Sequence, residues 1–154
     1  MTEVRSAEGL YAEHRIDLVR FAAVLVGPDD APDAVSRAIL SLLGGTTLAA
    51  AEYPKALMYR AVYTQARTMQ RSGFRRRARE HKVAERVGRE DPELDPDVLL
   101  AVAELSARQR ACIFLTYWED LTVPSVAERL GVSEGSVKKH LARARSQLRE
   151  VLDV

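Results

Sequence analysis

The residues that can do chemistry gather near the end of the 154-residue chain. From Ser133 to Arg149 the text reads SEGSVKKHLARARSQLR. Val137, Leu141, Ala144 and Leu148 recur at spacings of four, three and four, which predicts a helix with one apolar stripe turned inward. The opposite face carries Gly135, Ser136, Lys139, Ala142, Arg143 and Ser146, flanked by Lys138, Arg145 and Arg149. Small residues at a helix N-terminus let the backbone approach a phosphate, and long cations further along reach base edges or the sugar-phosphate chain. The chemistry is nucleic-acid recognition, not bond making.

No catalytic or metal set competes with it. Around His14, His81 and His140 no metal set assembles: helical spacing gives His14 only Asp17 and His81 only Glu85, Glu80 is the immediate neighbour of His81, and two ligands on one face are too few. Gly44-Gly45 has no preceding strand and no following Gly-Lys-Ser/Thr, so it reads as a helix stop and not as a phosphate loop. The single cysteine, Cys112, excludes an intrachain disulfide and sits in the apolar run Ala111 to Leu115, where a small buried hydrophobe is expected. An apolar run such as Phe21 to Val26, which no other run exceeds, is far too short to span a bilayer. A cytoplasmic protein is expected, with no enzymatic activity, cofactor, metal, membrane segment or small-molecule substrate.

The basic helix must be positioned by what precedes it. Thr122 is an N-cap, Pro124 falls in the first turn, and Val126, Ala127 and Leu130 give a short helix its apolar face. Gly131 ends that helix where a residue without Cβ turns into the left-handed region, and Ser133 caps the next. Ala127, Gly131 and Val137 are the packing skeleton of a helix-turn-helix: a small residue at the crossing, the turn, and the residue that locks the second helix. A helical hairpin with a merely solvated basic face has the same pattern.

The remainder of the chain reads as helices separated by stops. Ala7 to Val26 is helical by period, with Leu10, His14, Leu18, Phe21 and Leu25 inward, and Gly27-Pro28-Asp29-Asp30 ends it. Pro32 opens a second helix to about Leu43, with Val35, Ile39 and Leu42 inward. Pro54 starts a third, to about Ser72, with Leu57, Met58, Ala61, Val62, Ala66 and Met69 facing the core. Tyr59, Arg60, Tyr63, Thr64, Arg67 and Arg71 fall on its other faces. Tyrosines beside arginines suit a single-stranded nucleic acid, whose bases stack on rings and guanidinium planes, although a solvated amphipathic helix has the same composition. A basic block, Arg71 to Arg89, is followed by the acidic Glu90-Asp91-Pro92-Glu93-Leu94-Asp95-Pro96-Asp97, a shift expected of a linker. No strand pattern is present. The class is all-α, with 23 Lys+Arg against 22 Asp+Glu, so the whole-chain charge says nothing about a partner.

From Leu105 to Leu148, LSARQRACIFLTYWEDLTVPSVAERLGVSEGSVKKHLARARSQL resembles the C-terminal promoter-binding domain of the extracytoplasmic-function (ECF) bacterial sigma factors. The signs are Arg108-Gln109-Arg110, the Tyr117-Trp118-Glu119-Asp120-Leu121 turn, and Gly135-Ser136-Val137-Lys138 running into Leu141-Ala142-Arg143-Ala144-Arg145. More weakly, LYAEHRIDLVRFAAVLVG, DAPDAVSRAILSLL and YRAVYTQARTMQR resemble the helices of that family's N-terminal domain.

The resemblance implies two small helical domains: a sigma region 2-like bundle over 7–77 and a region 4-like helix-turn-helix domain over 98–154, joined by a charged linker over 78–97. It implies core RNA polymerase and promoter DNA as partners, with an anti-sigma factor or partner subunit as a further one. The recognition helix would present Ser133, Gly135, Ser136, Lys138, Lys139, Arg143 and Arg145 to duplex DNA. Arg60, Tyr63, Thr64, Arg67 and Arg71 would hold the opened strand, and Asp33, Ser36, Arg37 and Leu40 would meet polymerase. Two departures stand out. Ser36-Arg37 replaces the Gln-Glu usual on the docking helix, and Thr64 and Thr68 stand where the family tends to show Asn and Asp. A sigma-like interaction protein that has lost autonomous initiation, or a stand-alone helix-turn-helix regulator, remain the alternatives.

Overall fold

The computed structural model describes residues 6–44, 47–71 and 96–152, and every regular element among them is helical. Helix α1, Ala7–Val26, starts where the Ser6 hydroxyl accepts a hydrogen bond from the Gly9 N–H at 3.1 Å, and it stops at Gly27 with φ 88°. Helix α2, Ala31–Leu43, has Pro32 in its first turn, where a missing N–H costs nothing. A short α3, Thr47–Ala50, which the sequence pattern does not predict, precedes α4, Pro54–Gln70. Helices α1, α2 and α4 pack pairwise around Leu18, Phe21, Leu25, Val35, Ile39, Met58, Val62 and Ala66.

The second group begins with α5, Pro96–Glu104, so the last two residues of the expected linker are already the start of a helix. The rest of that linker, and most of the basic block before it, lie outside the described residues. Helix α6, Ala107–Ile113, opens on a reciprocal capping box: Ser106 Oγ accepts from the Gln109 N–H at 3.2 Å, and Gln109 Oε1 accepts from the Ser106 N–H at 2.9 Å. It runs into a π turn, Phe114–Trp118, and then come α7, Val123–Leu130, and α8, Glu134–Leu152. Helices α5, α6 and α7 all pack on α8, around Ala111, Leu115, Val126, Val137, Leu141 and Ala144.

The two groups share one apolar core, because α1 packs on α6 and α4 packs on α7. Phe21 meets Phe114 with ring centroids 5.7 Å apart. Arg110, 2% exposed, makes the seam polar as well. Its Nη2 donates to the Leu25 carbonyl at 3.0 Å, and its Nη1 donates to those of Ala103 and Leu105 at 2.9 and 2.7 Å. One guanidinium thus satisfies carbonyls at the C-terminal ends of α1 and α5, where unpaired C=O groups and the helix dipole both favour a cation. Gln70 at the end of α4 donates to the same Leu25 carbonyl.

This packing corrects one expectation. Tyr59 and Tyr63, placed on the outer faces of their helix by period, are 0% and 3% exposed, because α4 is covered on two sides and not one. Among the described residues, no helix is long and apolar enough to cross a membrane.

Candidate nucleic-acid interface

The helix-turn-helix forms as its residue types require. Thr122 Oγ1 caps α7 by accepting from the Ser125 N–H at 3.4 Å. At the other end Gly131 adopts φ 69° and ψ 36°, and the Val132 N–H returns to the Ala127 carbonyl at 3.0 Å, which closes the left-handed C-terminal turn. Ser133 Oγ then accepts from the Ser136 N–H at 3.1 Å and starts α8. Val126, Ala127, Leu130, Val137, Leu141 and Ala144 are buried between the helices.

What faces outward is the expected set. Ser133, Gly135, Lys138, Lys139, Arg143 and Arg145 are exposed, and Ser136 is half-buried beside the capped turn. Nothing inside the molecule requires glycine at 135, since the nearest atom to an added Cβ is Ser133 Oγ at 4.0 Å. His140 is half-buried, and its pKa is lowered from the usual 6.5, first by burial and then by Arg108, Arg143 and Lys139.

The set on α4 expected to hold an opened strand is divided. Thr64 and Arg71 are exposed, and Arg67 is half-buried with its guanidinium 5.9 Å from the Tyr63 ring centroid. Tyr63 is inside, its phenol pKa raised by burial against the pull of Arg108 and Arg67. Arg60 is occupied elsewhere: its Nη2 donates to the Glu128 carbonyl at 2.6 Å, in the last turn of α7, and its Nε lies 3.0 Å from where a Cβ on Gly131 would stand. Next to it, Tyr59 donates to Glu119 Oε1 at 2.9 Å, with Arg129 over its ring at 4.8 Å. Burial and that carboxylate both raise the Tyr59 pKa.

On α2, Asp33, Ser36, Arg37 and Leu40 share one exposed face, with Leu40 68% exposed. Arg37 Nε pairs with Asp33 Oδ2 at 3.2 Å along the helix. Three arrangements were not visible in the sequence: the Arg110 clamp, the Tyr59–Glu119–Arg129 cluster, and a contact from Tyr117 to the recognition helix. Tyr117 Oη accepts from Arg145 Nε at 2.8 Å.

Among the described residues no group of His, Cys, Asp and Glu could hold a metal. What the geometry offers is a presented basic helix and an aromatic, cationic helix partly covered by it.

Comparison with known proteins agrees. The family model for sigma-70, region 4, matches residues 97–148. RNA polymerase sigma factor SigV of Bacillus subtilis is 30% identical over 141 residues, covering 89% of this chain and 85% of that protein. RNA polymerase sigma-E factor of Streptomyces coelicolor is 42% identical over 48 residues, 31% of this chain and 27% of that one. Among solved structures, sigma factor RpoE in complex with anti-sigma factor NepR from Bartonella quintana superposes with a TM-score of 0.64 at 23% identity, over 96% of both chains. CnrH in complex with the cytosolic domain of CnrY gives 0.63 at 25% identity, over 97% of this chain and 88% of that one. The chain belongs to the ECF group of RNA polymerase sigma factors.

Proposed function

We propose that the chain binds core RNA polymerase in the cytoplasm and carries it to specific promoters, acting by binding and not by catalysis. The observation that carries this is the fully presented basic face of α8 on a helix-turn-helix within a chain 30% identical to a sigma factor along 89% of its length. In this reading Ser136, Lys139 and Arg143 lie nearest the bases, Lys138 and Arg145 meet the backbone, and Ser133 and Gly135 bring the helix N-terminus to a phosphate. Arg60, Tyr63, Thr64, Arg67 and Arg71 hold the opened strand once α4 is free. An anti-sigma factor or partner subunit is the further ligand, by analogy with RpoE and NepR.

The test is titration of labelled protein into bacterial core polymerase, read by anisotropy without DNA. Saturable binding near or below micromolar supports the reading; its absence in a folded protein overturns it. Replacing Lys139 or Arg143 by Ala is expected to cost roughly 1 to 3 kcal/mol of promoter affinity and relax sequence preference if the residue reads a base.

A second reading, a sigma-like interaction protein without autonomous initiation, is favoured by one observation. The Arg37–Asp33 pair neutralises the carboxylate on the α2 face that would meet polymerase. Arg37→Glu separates the two: tighter polymerase binding marks the native pair as a weakened contact, and unchanged binding means this face docks without that charge.

A further inference from the structure

Tyr117 belongs to none of the surfaces above, yet the backbone is distorted around it. It lies in the π turn, Phe114–Trp118, and two residues beyond that turn Asp120 has φ 55°, a left-handed conformation that non-glycine residues seldom adopt. The turn is held in shape. Glu119 N–H reaches the Phe114 carbonyl at 3.2 Å, Leu121 N–H reaches that of Leu115 at 3.0 Å, and Trp118 stacks on Phe114 at 6.1 Å. The core gains nothing from the ring so displayed, for Tyr117 is 60% exposed.

The ring meets one residue of the recognition helix. Tyr117 Oη accepts from Arg145 Nε, and the Arg145 guanidinium carbon lies 5.7 Å from the ring centroid. Using Nε leaves both Nη groups of Arg145 as donors, and a neutral phenol as partner leaves its charge uncancelled. Exposed Lys138 and Arg149 lie two turns before and one turn after it, so this flank of α8 is a row of cations.

We infer that Tyr117 is a positioning residue for DNA binding: the π turn presents its hydroxyl so that Arg145 stands extended from the flank of α8, with its Nη groups aimed at a backbone phosphate beside the groove. The inference rests on the duplex-binding reading of α8. Its energetic basis is entropy. A free arginine side chain loses rotamer freedom when it binds, and one already held by a hydrogen bond and a ring face loses less.

The test uses the full chain and a fluorescein-labelled duplex of mixed sequence, because a phosphate contact is independent of sequence. Affinity is measured by anisotropy across a salt series for the unchanged protein, Tyr117→Ala, Tyr117→Phe, Arg145→Ala and the Tyr117→Ala/Arg145→Ala pair. Arg145→Ala is expected to lower the slope of log affinity on log salt by about 1. Tyr117→Ala is expected to weaken binding by about three- to tenfold, with Tyr117→Phe, which keeps the ring, in between. In the Arg145→Ala background the tyrosine change is expected to have no further effect. Full affinity in Tyr117→Ala beside a weakened Arg145→Ala overturns the inference, as does an equal loss from Tyr117→Ala with Arg145 already removed. If the unchanged protein shows no salt-dependent binding, the duplex reading of α8 falls and this inference falls with it.

Discussion

Arg60 and Arg110 end on backbone carbonyls at helix C-termini, although the region of sequence around each suggests a charge meant for something outside. For Arg110 the consequence is stability. It is buried and holds the Leu25, Ala103 and Leu105 carbonyls, so Arg110→Met would remove the donor to Ala103 and Leu105, leave Leu25 to Gln70, and should cost about 2 to 4 kcal/mol in urea unfolding. Arg110→Lys should recover only part of this, because an ammonium cannot reproduce the fork. Gly131 makes a different demand. An alanine at φ 69° is strained by about 1 to 2 kcal/mol whatever the space around it, and the one close atom is the movable end of Arg60. His140 titrates. Because its folded pKa is lowered, mainly by burial, the folded state binds a proton less readily than the unfolded chain. The resulting stability is complete above the unfolded value of 6.5 and declines as pH falls from there toward the folded value. His140→Gln should flatten that part of the profile in urea midpoints measured across this range.

At the scale of elements, α1, α2, α7 and α8 were legible because each has an apolar stripe bounded by a cap or a glycine. Ser6, Pro32, Thr122, Gly131 and Ser133 stand at the ends where local chemistry puts them. The exposed basic face of α8 was legible for the same reason, being whatever the inward stripe left outside. The four-residue α3 was not, since so short a helix is decided by its surroundings. Nor was the π turn, whose Glu119 N–H returns to the Phe114 carbonyl and whose Trp118 stacks on Phe114, a local geometry with no apolar stripe to announce it. The pairing of Ser106 with Gln109 is a start signal that local sequence does carry. Ser106→Ala should cost about 0.5 to 2 kcal/mol, and because α6 carries Arg110, the loss should appear in the cooperative unfolding of the molecule and not as fraying of one helix.

For the molecule as a whole, the misplaced tyrosines are the informative error. Tyr63 was assigned to an outer face of α4 because period describes one amphipathic side, and here the helix-turn-helix supplies a second cover. That cover is imperfect. Arg129 Nη1 is buried without a hydrogen-bond partner, and such a group costs about 1 to 3 kcal/mol. The seam joined by Phe21, Phe114 and Arg110 thus encloses one unpaired polar atom, Arg129 Nη1, that separation would release to water. The packed form leaves the outer face of α8 exposed while Arg60 is bonded to the Glu128 carbonyl and Tyr63 is enclosed. Under the proposed function it would meet duplex DNA as it stands and a single strand only after the seam opens. Cys112 can report the difference. It lies near enough to Tyr63 to oppose ionisation of the phenol, and burial pushes its own thiol up to about 11, so at neutral pH it is protonated and shielded. Glu119→Ala removes the acceptor of Tyr59 without touching any proposed DNA contact. It should speed reaction of Cys112 with a thiol reagent and strengthen binding to a single-stranded oligonucleotide, with duplex affinity unchanged. Core polymerase should speed the same thiol reaction in the unaltered chain. Faster labelling with no gain in single-strand binding would mean that the seam opens without freeing the strand surface, and that Arg60 and Tyr63 serve packing alone.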